Sequence, residues 1–361
     1  MSDLYVAAGG GGDPVGTLIA ARTIAGDPAG RAVPPLIATY AWERPEVDPT
    51  AALLGAGDFA GLFRETAADG SGFGAFTPAT RVRPPAGSTL PGLARDLPAR
   101  LLLLDPAAGL AALARQIASM AAAAGGRIHL VDVGGDVLTH GDEPNLCSPF
   151  GDALTLAACR LTGVPTTVHV AGPGLDGEIE ERTLLERLAT SRPLVPDRDA
   201  VAAAAGALAW HPSEASALWA AAVLGARGTV RTVRSSAVRL TDASAGLYPL
   251  PLEEAVGHNP VARALVEERP ATLRAAAGLS HRLTGIHGLE SEHPGTPGQN
   301  PPFEGMPPAD RDRTMKALRE AAAGADHITL RYAARTLGLT WRDIPALRTV
   351  LGSHTPLLRL T

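Results

Sequence analysis

Short apolar runs alternate with helix-length segments along most of this chain, and glycines stand at nearly every junction. Leu4–Ala8, Leu36–Ala41, Leu101–Leu104, Ile128–Val133 and Thr166–Ala171 read as strands. Val15–Ala25, Gly109–Ala124, Phe150–Leu161 and Glu178–Ala189 read as the helices between or after them. Strands separated by helices need crossover connections, which implies a mainly parallel sheet with helices on both faces. Leu101–Leu104 carries no polar residue, as a strand buried on both faces requires.

The remaining segments are less regular. Residues 45–100 form a Pro/Gly-rich insertion, in which Ala51–Leu54 and Phe59–Thr66 are expected as short helices. Val201–Trp210 and Ser213–Leu224 read as a helical pair, and Val230–Val233 and Ala237–Leu240 as strands. The division expected is a core over 1–245 and a mostly helical C-terminal region over 246–361. That region holds a Gly/Pro/His-rich loop at 284–307, then helices over Asp310–Ala323, His327–Leu337 and Trp341–Leu351.

Composition excludes several classes. Hydrophobic residues make up 45%, enough for a packed core. A net charge of −5 argues against nucleic acid as a partner and against anionic membranes. No run of about 18 apolar residues marks a membrane span. Two cysteines, Cys147 and Cys159, make neither a disulfide framework nor a zinc site, and the expected location is the cytoplasm. Lys316 is the only lysine, so anion contacts must come from arginines and backbone N–H groups.

In open α/β sheets ligands bind beyond the carboxyl ends of the strands, where helix N-termini point. After the first strand come Gly9, Gly10, Gly11, Gly12 and Asp13, a bend expected to cradle an anion such as phosphate. It is neither the dinucleotide fingerprint nor a phosphate loop. After Ile128–Val133 come Gly134, Gly135, Asp136, His140, Asp142 and Glu143, with Asp132 near the strand's end and Asp152 further on. Asp132 and Asp136 can converge on a divalent cation such as Mg²⁺ or on sugar hydroxyls, and one of them can serve as a general base. His140 is the candidate histidine for acid–base work. After Thr166–Ala171 come Gly172, Gly174, Asp176 and Glu178, where ligand binding and helix capping are both open. His211 suits a turn; His281, His287 and His293 lie in or beside the long loop, with Glu290 and Glu292, and match no metal signature.

The segments Asp132–Leu138, Gly141–Glu143 and Ser148–Ala153, with Gly9–Asp13, Gly172–Glu178 and Pro212–Ser216, resemble a domain-of-unknown-function family of archaea and actinobacteria. The likeness covers about residues 1–240 and weakens from about 270. It implies a Rossmann-like fold and a shared site, without a reaction. Nucleoside hydrolases offer a loose analogy, since their aspartate cluster follows the first strand and this one follows a later strand.

The expected function is therefore an enzyme for a nucleoside, nucleotide or phosphorylated sugar, acting by hydrolysis or group transfer. The small anionic substrate, and another copy of the chain in a homo-oligomer, are the expected partners. A nicotinamide-type oxidoreductase is an alternative, but its ribose acid would have to be Glu43, which lies rather far along. A non-catalytic nucleotide sensor or scaffold is the other.

Overall fold

The structure is a computed structural model and describes residues 3–10, 13–26, 33–66, 72–235, 237–289 and 310–360. The chain passes through strands β1 (Leu4–Ala7), β2 (Leu36–Trp42), β3 (Phe63–Thr66), β4 (Gly72–Ala75), β5 (Arg100–Leu104), β6 (Ile128–Val133) and β7 (Thr166–Ala171). Strands β8 (Gly228–Arg231), β9 (Val238–Leu240), β10 (Leu247–Pro251), β11 (His327–Thr329) and β12 (Leu357–Arg359) follow. The main sheet has the order β10-β7-β6-β1-β2-β5-β4-β3, and Leu53–Leu54 pairs with β2 as a ninth strand. The five strands from β7 to β5 are mutually parallel. β10, β4 and β3 extend the sheet in antiparallel fashion.

Side-chain alternation along each strand divides the core into two layers. Leu4 and Val6 face one layer with helices α2 (Leu110–Ala123), α3 (Pro149–Thr162), α5 (Pro260–Glu268) and α6 (Leu273–Thr284); Tyr5 faces the other with α1 (Asp13–Ile24) and α4 (Glu214–Val223). Helices thus cover both faces. A Cβ on Gly16 would lie 2.5 Å from Val133 Cγ2, so its absence lets α1 press onto β6.

Chain order reverses at one place. The path steps from β1 to β2 to β5 on one side, then returns to β6 on the other side of β1 and continues to β7. Connections therefore leave β1 and β6 in opposite directions, and a crevice opens beyond their carboxyl ends.

Past residue 246 the chain is mostly helical, as expected, but it first completes the main sheet with β10. Pro249 and Pro251 hide this strand from a sequence reading; it sits at the sheet's edge, where a missing N–H costs no ladder bond. A second sheet, β9-β8-β11-β12, carries a small lobe. Helices α7 (Arg311–Ala321), α8 (Leu330–Thr336) and α9 (Ile344–Leu351) pack on Ile328 and Leu358 of its one face. Val230, Val238 and Leu357 join the layer containing α4.

Several expected elements differ. Residues 51–66 hold short strands in place of the expected helices, because Phe63–Thr66 pairs with Gly72–Ala75, whose Phe73 and Ala75 are buried. Thr329 caps α8, so the helix expected from His327 starts at Leu330, after a strand. Glu290, Glu292, His293 and the loop from residue 290 to 307 lie outside the described residues. Among those described, no helix is long and apolar enough to cross a membrane.

Candidate functional site

The crevice beyond β1 and β6 is a partly enclosed cleft of about 150 Å³. Gly9, Gly10, Asp13, Asp132, Asp136 and Asp176 share its wall, so the glycine bend and the aspartates do face one space. Asp152 and Glu178 line it too, and so do Arg44, Arg234 and Arg331.

The glycine bend serves Asp13 more than it serves a ligand. Gly9 N–H donates to Asp13 Oδ2 at 2.8 Å, and a Cβ on Gly9 would lie 2.4 Å from that oxygen. At Gly10 a Cβ would meet the Trp42 carbonyl oxygen at 2.4 Å. The expected anion cradle is thus corrected at Gly9, whose N–H is spent on a side chain; Gly11 and Gly12 lie outside the described residues.

The later glycines are shaping residues. Gly134 has φ +136°, and a Cβ there would sit 1.9 Å from Asp176 Oδ2, so only glycine lets Asp176 come this close to the end of β6. A Cβ on Gly135 would strike the buried Leu184. Gly174 N–H donates to the Gly134 carbonyl at 2.7 Å and Gly172 N–H to that of Gly246 at 3.0 Å. Gly134, Gly135, Gly172 and Gly174 stand outside the cleft wall; they fix the backbone that aims Asp132, Asp136 and Asp176 into it.

Asp132 and Asp136 are buried and Asp13 and Asp176 half-buried, and desolvation is the main cause of their raised pKa values. Asp13 is pushed up to about 7 by burial and by the Asp176 charge, against the Gly9 bond and Arg44. Burial and then Asp176 raise Asp132 well above the carboxylate range, although Val137 N–H donates to its Oδ2 at 2.9 Å. Asp136 is raised by burial and by four acids, Asp176, Glu178, Asp152 and Asp132. Its Oδ1 is buried with no hydrogen-bond partner among the described residues. Asp176 rises to about 6 through burial and Glu178, tempered by the Glu178 N–H at 3.0 Å and a hydrogen bond with Asp136. Asp136 and Asp176 therefore both hold their protons more tightly than ordinary carboxyls, and the charge of Asp176 is one cause of the rise at Asp136.

The basic wall is mostly compensated. Glu178 accepts from Cys147 N–H, Ser148 N–H and Ser148 Oγ–H and pairs with Arg234 at 2.5 Å. Arg331 lies 2.6 Å from Glu46 and 3.5 Å from Glu214. Glu214 also accepts from Val233 N–H and Thr329 Oγ–H, which ties α4 to the small lobe. His211, expected in a turn, is buried in the cleft wall, where its Nδ1 accepts from Ser213 N–H at 3.1 Å.

His140 is corrected as an acid–base candidate. It is exposed, lies outside the cleft wall, and stacks on His258 with ring centroids 5.5 Å apart. Glu143 explains why: it accepts from Thr139 Oγ–H and from the His140 and Gly141 N–H groups, which folds this segment into a tight turn beside Arg187. The expected cation site at Asp132 and Asp136 finds no third ligand. Among the described residues no group of three or more His, Cys, Asp or Glu side chains is placed to hold a metal ion.

The sequence reading missed Arg44, Arg234 and Arg331. Arg44 follows β2 directly and carried the same position-after-strand signal as the acids. Arg331 carried none, since it enters from the small lobe.

Fold and site together define an α/β protein with a mostly parallel sheet and a buried carboxyl cluster at the reversal of its strand order. Residues 4–294 match DUF1152, a protein family of unknown function, and the chain belongs to that family. The match extends beyond residue 240, where the likeness in sequence was expected to end, and it includes Arg44 and Arg234 but stops before Arg331. No curated protein and no solved structure matches the chain.

Proposed function

We propose that the chain is a cytoplasmic, Rossmann-like enzyme that hydrolyses, or transfers a group from, a nucleotide or phosphorylated sugar. The observation that carries this reading is the gathering of four carboxyls, Asp13, Asp132, Asp136 and Asp176, in the cleft at the strand-order reversal. Of carboxyls with raised pKa values, an ionised one can take a proton from water or an acceptor hydroxyl and a protonated one can give a proton to a leaving oxygen. Asp132 and Asp13, also in the wall, are acceptors suited to sugar hydroxyls.

Size limits the substrate. A cleft of about 150 Å³ suits a ribose-sized body. A base would project from the mouth. The nicotinamide alternative would need Glu43 for its ribose; that residue lines the cleft, but its Oε1 accepts from Thr89 N–H and Thr89 Oγ–H, both at 2.6 Å. A mere scaffold has no use for buried carboxyls that oppose one another, since each costs free energy to bury.

Incubating the purified protein with nucleoside monophosphates and pentose phosphates, with and without Mg²⁺, tests the reading by product analysis and thermal shift. Turnover or stabilisation by at least one is expected. Silence across the panel, or turnover that persists in Asp136→Asn and Asp176→Asn, would rule it out.

A further inference from the structure

Arg44 differs from the other two guanidinium groups of the cleft. Arg234 is held by Glu178, and Arg331 by Glu46 and Glu214. Arg44 is half-buried, and among the described residues its side chain makes no hydrogen bond and no ion pair within 4 Å. Its immediate electrostatic company is unfavourable. The charge of Arg331, then burial, then the charge of Arg234 bring it down to about 10, with Glu214 and Glu46 opposing. A cation in that position lacks a counter-anion that its two neighbours already have. The bend at Gly9 cannot hold that anion, because its N–H is taken by Asp13.

We propose that Arg44 is the specificity residue that binds a phosphomonoester group of the substrate, and that Arg331 of the small lobe backs it electrostatically. A guanidinium offers a planar fork that matches two phosphate oxygens, and a dianion relieves the repulsion among three clustered arginines. Arg234 and Arg331 keep their carboxylates and act at a distance, whereas Arg44 has none to give up. Arg44 and the aspartates line the same cleft, so a ligand whose phosphate sits at Arg44 brings its sugar to the hydroxyl acceptors. Arg331 lies outside the matched span 4–294, so the lobe that follows that span adds to the site a charge the matched residues lack.

This inference rests on the reading that the cleft takes a sugar-bearing ligand, and the test separates the two. The full chain is titrated with ribose and with ribose 5-phosphate, and the ratio of the two affinities is read. The wild type is expected to favour ribose 5-phosphate by about 10- to 100-fold, the range for hydrogen bonds to charged groups. In Arg44→Gln the ratio is expected to fall to within about threefold of one, and Arg44→Lys to restore part of it, because an ammonium supplies charge without the fork. Arg331→Gln is expected to reduce the ratio by several-fold, since Glu46 and Glu214 then lose their cation. Circular dichroism and melting confirm that each variant is folded.

Equal affinity for both ligands in the wild type overturns the inference and leaves the parent reading standing. Binding of neither ligand removes both. A ratio that survives Arg44→Gln, or loss of both ligands alike in that variant, overturns the assignment of phosphate to Arg44. A ratio untouched by Arg331→Gln removes the contribution of the lobe.

Discussion

Asp13, Asp132, Asp136 and Asp176 each bind their proton more tightly in the native state than in the unfolded chain. Below about pH 4 both states are protonated and nothing is lost. As pH rises from there toward the raised native values, about 6 for Asp176 and about 7 for Asp13, the unfolded chain ionises and the native state resists, so stability falls with rising pH. Replacing Asp136 by Asn removes an acid that four others repel, and it should raise stability at pH 8 by about 1 kcal/mol, read by urea denaturation. The same variant should lose about 10²- to 10⁴-fold in turnover, the usual worth of a positioned acid or base. A loss of stability instead would mean that Asp136 is structural. The pH–rate profile of the wild type should rise as Asp176, raised to about 6, ionises, and Asp176→Asn should displace that limb. Gly134 is the glycine on which this arrangement depends. Gly134→Ala places a methyl 1.9 Å from Asp176 Oδ2 at a φ of +136°, and a cost of about 2 kcal/mol or more is expected from thermal melting.

The segment after β6 shows what an element can hide from its sequence. Asp136, His140, Asp142 and Glu143 read as one acid-rich run, yet a turn sends Asp136 into the cleft and the other three elsewhere. Burial alone would raise Glu143, but hydrogen bonds from the His140 N–H, Thr139 and Arg187 outweigh it and bring the carboxyl to about 2. Glu143 should therefore stabilise the fold fully above about pH 4.5, and this contribution should fade as pH drops toward 2. Glu143→Ala leaves Arg187 buried without its carboxylate, 2.7 Å away in the native turn, and should cost about 3 kcal/mol at pH 7 in denaturant titration. An unchanged midpoint would show the pair to be worth nothing. The parallel strands were legible because each combines an apolar run with a glycine stop, and the carboxyl-end rule then placed Gly9, Asp13, Asp132, Asp136 and Asp176 at one rim. Illegible were features set by pairing between strands: β10 with its two prolines, and the hairpin of β3 and β4 at the edge of the sheet. Glycines at 172 and 174 looked like ligand contacts because positive φ serves a tight turn and a ligand cradle equally well.

At the scale of the molecule, the small lobe and the main sheet meet at the cleft, and a few buried groups hold them together. Glu214 lies on α4 of the main body, while Thr329 and Arg331, which it engages, belong to the lobe. Trp341 Nε1–H adds a bond to the Glu46 carbonyl at 3.1 Å, on the same loop that carries Arg44 after β2. The loop is thus clamped from the lobe side, and the position of Arg44 depends on how the lobe is seated. Glu214→Ala leaves Arg331 with one carboxylate, strips Val233 N–H of its acceptor and frees Thr329. Breaking a buried pair on one side typically costs about 3–5 kcal/mol, and here most of that cost falls on the joint. The expected result is faster amide exchange across β11 and α8, with β1 and β6 protected as before, together with weaker binding of a phosphorylated ligand. Trp341→Ala should act in the same direction more weakly, because the hydrogen bond it loses is exposed. Uniform loss of protection across both sheets would instead mean that lobe and body unfold as one unit, and that the lobe cannot adjust the site independently of the fold.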